Sequence, residues 1–128
     1  MTLSANVIML GVRDLARAKE FYRQLGATIE QDYPTFVSFS LGQGSSALGL
    51  YPWDAAATEA GQDPEGSGFR GVSLHCLVGQ QATVDELLER AVDAGGSEVR
   101  PGAGAQWGGY FGYFADPDGY LWKVACPS

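Results

Sequence analysis

The chain carries few side chains able to do chemistry, and their scarcity is the first constraint. His75 is the single histidine among 128 residues, so a metal site built from two or three histidines, or a catalytic His pair, is excluded by count. Alone, His75 could serve as a hydrogen-bond donor or as a general base near neutral pH, or could equally be a satisfied strand residue. Lys123 lies within an apolar run near the C-terminus. An ammonium there must reach solvent, pair with an acid, or meet an anionic or carbonyl-bearing ligand. Cys76 and Cys126 show no Cys-x-x-Cys spacing for zinc or redox work and read as buried thiols. The glycines form no phosphate cradle at a helix start, and no Gly-x-Ser-x-Gly elbow presents a serine nucleophile. Trp107 stands in a glycine-rich stretch, 102–109, long enough to cover a site. It is expected either to stack on a planar ligand or to close a sheet end or dimer seam, and Trp53 has the same alternatives.

The elements that must position these residues come in a repeating order. Asn6–Val12 is apolar on both alternating faces and predicts a covered strand. Asp14 can cap a helix whose apolar stripe is Leu15, Ala18, Phe21, Tyr22 and Leu25, with Gly26 as its left-handed stop. Ala27–Glu30, Phe36–Leu41 and Ala47–Tyr51 then read as short strands. Residues 54–70, rich in Ala and then Gly, Pro and Asp, are expected to be a linker without lasting regular structure. Beyond it the order recurs. Val72–Val78 is a strand, Thr83 with Glu86 marks a capping box, Gly95-Gly96 ends the helix, and strands follow at Glu98–Arg100, Tyr110–Ala115 and Tyr120–Ala125. Asp116-Pro117-Asp118-Gly119 is the turn between the last two. The expected fold class is α+β, with a βαβββ module at 1–53 and another at 71–128. A ferredoxin-like sandwich with two irregular extra strands is the alternative.

Composition narrows the partners. Fifteen acidic against eight basic residues give a net charge of −7, which repels phosphate backbones and anionic membranes. No apolar run reaches membrane-spanning length, and Met1–Met9 lacks the order of a signal peptide, so a cytoplasmic protein is expected.

Two segments carry a family resemblance: Gly11-Val-Arg-Asp-Leu-Ala-Arg-Ala-Lys-Glu-Phe-Tyr22 with Leu25-Gly26, and Tyr113-Phe-Ala-Asp-Pro-Asp-Gly-Tyr-Leu-Trp122. With these, the chain resembles the vicinal oxygen chelate superfamily of glyoxalases, bleomycin-resistance proteins and extradiol dioxygenases. Trp107–Tyr113 is similar to a glyoxalase-like subfamily of mostly unassigned substrates. The resemblance implies two βαβββ modules curling eight mostly antiparallel strands around a cavity, commonly in a homodimer. It also implies a divalent metal held by one residue from the first and one from the last strand of each module. Those positions fall on Val7, Gly49, Ser73 (or Val72 in a shifted register) and Lys123. Val and Gly offer no donor, a serine hydroxyl is a poor ligand, and an ammonium repels a cation. No metal and no cofactor are therefore expected, an off-pattern site around His75 being the exception left open.

If Val7, Ser73 and Lys123 mark the cavity wall, strand alternation adds Met9, His75, Leu121 and Ala125, and the repeat adds Phe36, Ser38, Tyr51, Phe111 and Tyr113. Such an aromatic wall with isolated polar points is the composition of a small-molecule site, and also of an ordinary core. The expected function is metal-independent sequestration of a small aromatic or hydrophobic molecule. The alternatives are a lyase or isomerase in which His75 or Lys123 moves a proton while Tyr113 or Ser73 holds an oxygen, and a non-catalytic structural or regulatory protein.

Overall fold

The local signals at both ends of the first helix survive into the structure. In the computed structural model, which describes residues 5–66 and 68–128, Asp14 Oδ1 accepts from the Arg17 backbone N–H at 3.0 Å and opens α1 (Leu15–Gln24). Gly26 follows the helix at φ 97°. Residues 1–4 of the predicted first module and Ser67 of the predicted linker lie outside the described residues. The remaining elements are β1 (Val7–Val12), β2 (Thr28–Tyr33), β3 (Phe36–Ser40), β4 (Ala47–Pro52), α2 (Trp53–Glu59), β5 (Ser73–Leu77), α3 (Gln81–Asp93), β6 (Ser97–Gly104), β7 (Tyr110–Ala115) and β8 (Leu121–Cys126).

The chain divides into two compact units, Met1–Gly66 and Ser67–Ser128. Each holds one four-stranded mixed sheet, ordered β1-β4-β3-β2 in the first unit and β5-β8-β7-β6 in the second. In both, the first strand pairs parallel with the last and the other two pairings are antiparallel. The eight strands thus make two open sheets of identical topology.

The core of each unit lies between one sheet face and its helix. Leu10, Val12, Val37, Phe39, Leu48 and Leu50 are buried in the first unit together with Ala18, Phe21 and Tyr22 of α1. In the second, Phe114, Val124 and Cys126 are buried with Val84, Leu88 and Ala91 of α3. The Trp122 ring stacks on Phe114 at 6.0 Å and 3°, on the helix side as its alternation with Lys123 predicts. Both cysteines are free thiols, and burial pushes the Cys76 thiol up from its ordinary pKa. Among the described residues no helix is long and apolar enough to cross a membrane.

Three sequence expectations need correction. The segment expected to be an unstructured linker opens with α2, which packs on β1 and β4; Gly11 lets it approach, since a Cβ there would stand 3.3 Å from the Trp53 Cα. Trp53 Nε1 donates to the Pro64 carbonyl at 2.8 Å and Arg13 covers the indole at 4.2 Å, so this tryptophan ties the chain at Pro64 to the start of α2 within the first unit. The Thr83–Glu86 capping box does not form. The helix starts at Gln81 from an N-cap at Gln80 without a side-chain cap, because Gln81 and Ala82 are good helix formers and extend it upstream. Finally, β6 runs on to Gly104, through Pro101, which an edge strand tolerates. The expected long loop shrinks to a tip at 105–109, closed by Ala105 N–H donating to the Gly109 carbonyl at 2.7 Å.

Candidate functional site

The sheet face turned away from the helix carries nearly every residue singled out in the sequence. In the second unit, Ser73, His75 and Leu77 alternate with the helix-side Leu74 and Cys76, and Leu121, Lys123 and Ala125 continue that face on β8. Phe111 and Tyr113 extend it on β7, opposite Ala125 and Lys123 respectively. The turn that aligns β7 with β8 is held by Asp116, whose Oδ1 accepts from the backbone N–H groups of Asp118 and Tyr120, both at 2.9 Å.

Trp107 completes the face from the hairpin tip. Its ring stacks on Phe111 at 6.3 Å and 20°, while 58% of the residue remains exposed. Gly109 makes this possible: a Cβ there would fall 1.7 Å from the indole, so only a bare backbone lets the ring fold down onto β7. Lys123 Nζ lies 4.7 Å from the Phe111 centroid and 5.7 Å from that of Trp107, a cation over two aromatic rings. Phe111 also packs edge-on against Tyr113 at 6.1 Å and 83°. Ser73 Oγ lies 3.1 Å from His75 Nε2, so the partner of the lone histidine is a hydroxyl two residues back on its own strand.

Arg100 belongs to this face and was missed by sequence reasoning. It pairs with Tyr113, and its guanidinium lies 5.3 Å from the Phe111 centroid. A register shift between Glu98 and Arg100 places it there, and a bulge leaves no signature in strand alternation. The helix side of the same hairpin is strapped to α3. Tyr110 donates its hydroxyl to Asp85 at 2.7 Å, and that bond, with some burial, raises the phenol pKa above its ordinary value.

In the first unit the corresponding face holds Val7, Met9, Phe36, Ser38, Gly49 and Tyr51. Val7 and Met9 are exposed, Phe36 packs against Tyr51 at 6.3 Å, and Phe36 and Met9 close over Gly49. Ser38, buried, donates to Gln31 Oε1 at 3.1 Å; Gln31 also follows a register shift and was also missed.

The two registers superpose as a pattern. Across the first sheet Met9, Gly49, Ser38 and Gln31 pair in sequence, and across the second His75, Lys123, Tyr113 and Arg100. Lys123 is therefore the counterpart of Gly49, as the repeat predicts, and Arg100 that of Gln31.

The donor set answers the question of a metal. Of the positions that the family resemblance assigns to ligands, Val7 and Gly49 have no donor atom, Ser73 is engaged with His75, and Lys123 is a cation lodged on aromatic rings. Among the described residues no group of three His, Cys, Asp or Glu side chains is arranged to hold a metal ion. The residues present do not fit a divalent cation at the family position.

Comparison with known proteins agrees with the topology. A model of the Glyoxalase/Bleomycin resistance protein/Dioxygenase superfamily matches residues 4–124. No curated protein sequence matches the chain. Among solved structures, a glyoxalase-related enzyme from Fulvimarina pelagi is 28% identical, with a TM-score of 0.88 over 98% of this chain and 88% of that one. A family enzyme from Burkholderia phytofirmans superposes with a TM-score of 0.86 at 21% identity, over 98% of this chain and 100% of its own. A lactoylglutathione lyase from Agrobacterium tumefaciens does so at 0.68 and 20%, over 95% and 92%. The last two likenesses are of fold alone. With the family match spanning nearly the whole chain and both sheets built to one plan, the protein belongs to the glyoxalase/bleomycin resistance protein/dioxygenase superfamily.

Proposed function

We propose that the protein binds a small planar aromatic molecule without a metal, on the sheet face of the second unit that is turned away from α3. The observation that carries this reading is the Trp107–Phe111 stack, with Lys123 over both rings and the indole of Trp107 exposed on one side. An aromatic plane open to solvent offers area for stacking, and Ser73, His75 and Tyr113 beside it offer donors and acceptors that orient a ligand. The ligand-position residues Val7, Gly49, Ser73 and Lys123 supply no metal chemistry to this reading.

The test is a titration of mono- and bicyclic aromatic compounds followed by calorimetry and thermal shift. Wild-type protein is expected to gain stability with bound ligand. Trp107→Ala, which removes the upper ring at the exposed tip, is expected to weaken binding about tenfold or more, the scale of a lost aromatic stack with its buried area. If no member of the series binds, or if the variant binds as well as wild type, the reading fails.

A further inference from the structure

We infer that the ligand of this face is an anion, and specifically a planar aromatic carboxylate whose acid group is received between Lys123 and Arg100. The inference deepens the reading above and rests on it. Lys123 and Arg100 flank Tyr113 in the row His75–Lys123–Tyr113–Arg100, and both place their cationic groups beside the Phe111 ring, at 4.7 and 5.3 Å. Every member of that row can donate a hydrogen bond.

The charge balance points the same way. The protein as a whole is strongly acidic, and its surface cations commonly find acids, as Lys19 does with Asp32 and Arg23 with Glu20. Lys123 and Arg100 do not: among the described residues neither has a carboxylate within ion-pair distance. The residues paired around them on this face are also free of acids, with Ser97 opposite Ala115, Ala103 opposite Phe111, and Leu121 opposite Ser73 and Ala115. Two cations without acidic partners, set against an aromatic plane, match a ligand whose ring stacks while its carboxylate accepts charge-assisted hydrogen bonds. The first unit shows the contrast. Its equivalent row, Met9–Gly49–Ser38–Gln31, carries no charge, and Ser38 and Gln31 are already bonded to each other.

The experiment compares matched acids and amides by calorimetry at low salt: benzoate with benzamide, and 2-naphthoate with 2-naphthamide. Each pair shares its ring and nearly its shape and differs in charge. The acids are expected to bind about tenfold more tightly than their amides, the gain of one charge-assisted hydrogen bond, and raised salt is expected to erode only that difference. Lys123→Met keeps an unbranched side chain against the rings and removes the charge, so it is expected to abolish the preference for acid over amide. Arg100→Met is expected to reduce the preference in the same way. Equal binding of acid and amide, or a preference that survives both substitutions, overturns the inference and leaves aromatic binding standing. Failure of both acids and amides to bind overturns the underlying reading as well.

Discussion

Gly112→Val is expected to lower the stability of the second unit by about 3 kcal/mol, the upper end of the usual range for overpacking a core. A Cβ at Gly112 would stand 2.6 Å from Leu88 Cδ1, 2.8 Å from the Arg100 carbonyl oxygen and 3.1 Å from the Gly102 backbone nitrogen. The leucine can rotate, but the two backbone atoms belong to β6 and are fixed by its pairing with β7. Relief therefore requires the β6–β7 ladder to part, which also withdraws Arg100 from its place opposite Tyr113. Gly49→Ala is the control at the opposite extreme. The nearest atoms its Cβ would meet are the Phe36 ring at 3.3 Å and Met9 Cγ at 3.5 Å, both side chains rather than backbone, so it should cost well under about 1 kcal/mol. Urea unfolding midpoints of the two variants measure the difference, and a Gly112→Val protein as stable as wild type would contradict the packing described.

Asp116→Ala is expected to cost about 2–4 kcal/mol, because two backbone N–H groups lose one shared acceptor in a place water reaches poorly. Asp116 is 3% exposed, and its Oδ1 takes both the Asp118 and Tyr120 N–H bonds while its backbone closes the turn through Gly119 and Tyr120. Asp116→Asn keeps an acceptor of the same reach and should recover most of the loss. A similar unfolding midpoint for Ala and wild type would show that the side chain does not hold the turn. The turn matters to the site because it sets Lys123 opposite Tyr113 and Phe111 opposite Ala125.

What could be read from the sequence was local. Asp14 with its cap, Gly26 as helix stop and the Asp116–Gly119 turn each depend on a few neighbouring residues, and all appear in place. Strand alternation counted from Ser73 and Lys123 put His75 on their face, and the internal repeat added Phe111 and Tyr113; the registers pair them there. What escaped depended on contacts distant in sequence or on broken periodicity. Arg100 and Gln31 sit just past register shifts, where counting by twos puts a side chain on the wrong face. The helix over Trp53–Glu59 is seven residues long with none buried, so it shows no apolar stripe, and its alanines were the only cue. Trp107 could be placed in a glycine-rich stretch, but its fold-back over Gly109 needed the hairpin tip. The glycines thus separate by use: Gly109 admits a ring, Gly112 a helix side chain, and Gly49 stands where its counterpart is Lys123.

The most direct test of the account is calorimetric titration of 2-naphthoate into protein stripped with a strong chelator, repeated after adding manganese, nickel or zinc. The same affinity is expected in every sample, with Lys123→Met weakening all of them alike. Binding that disappears on chelation and returns with one of these metals would contradict it.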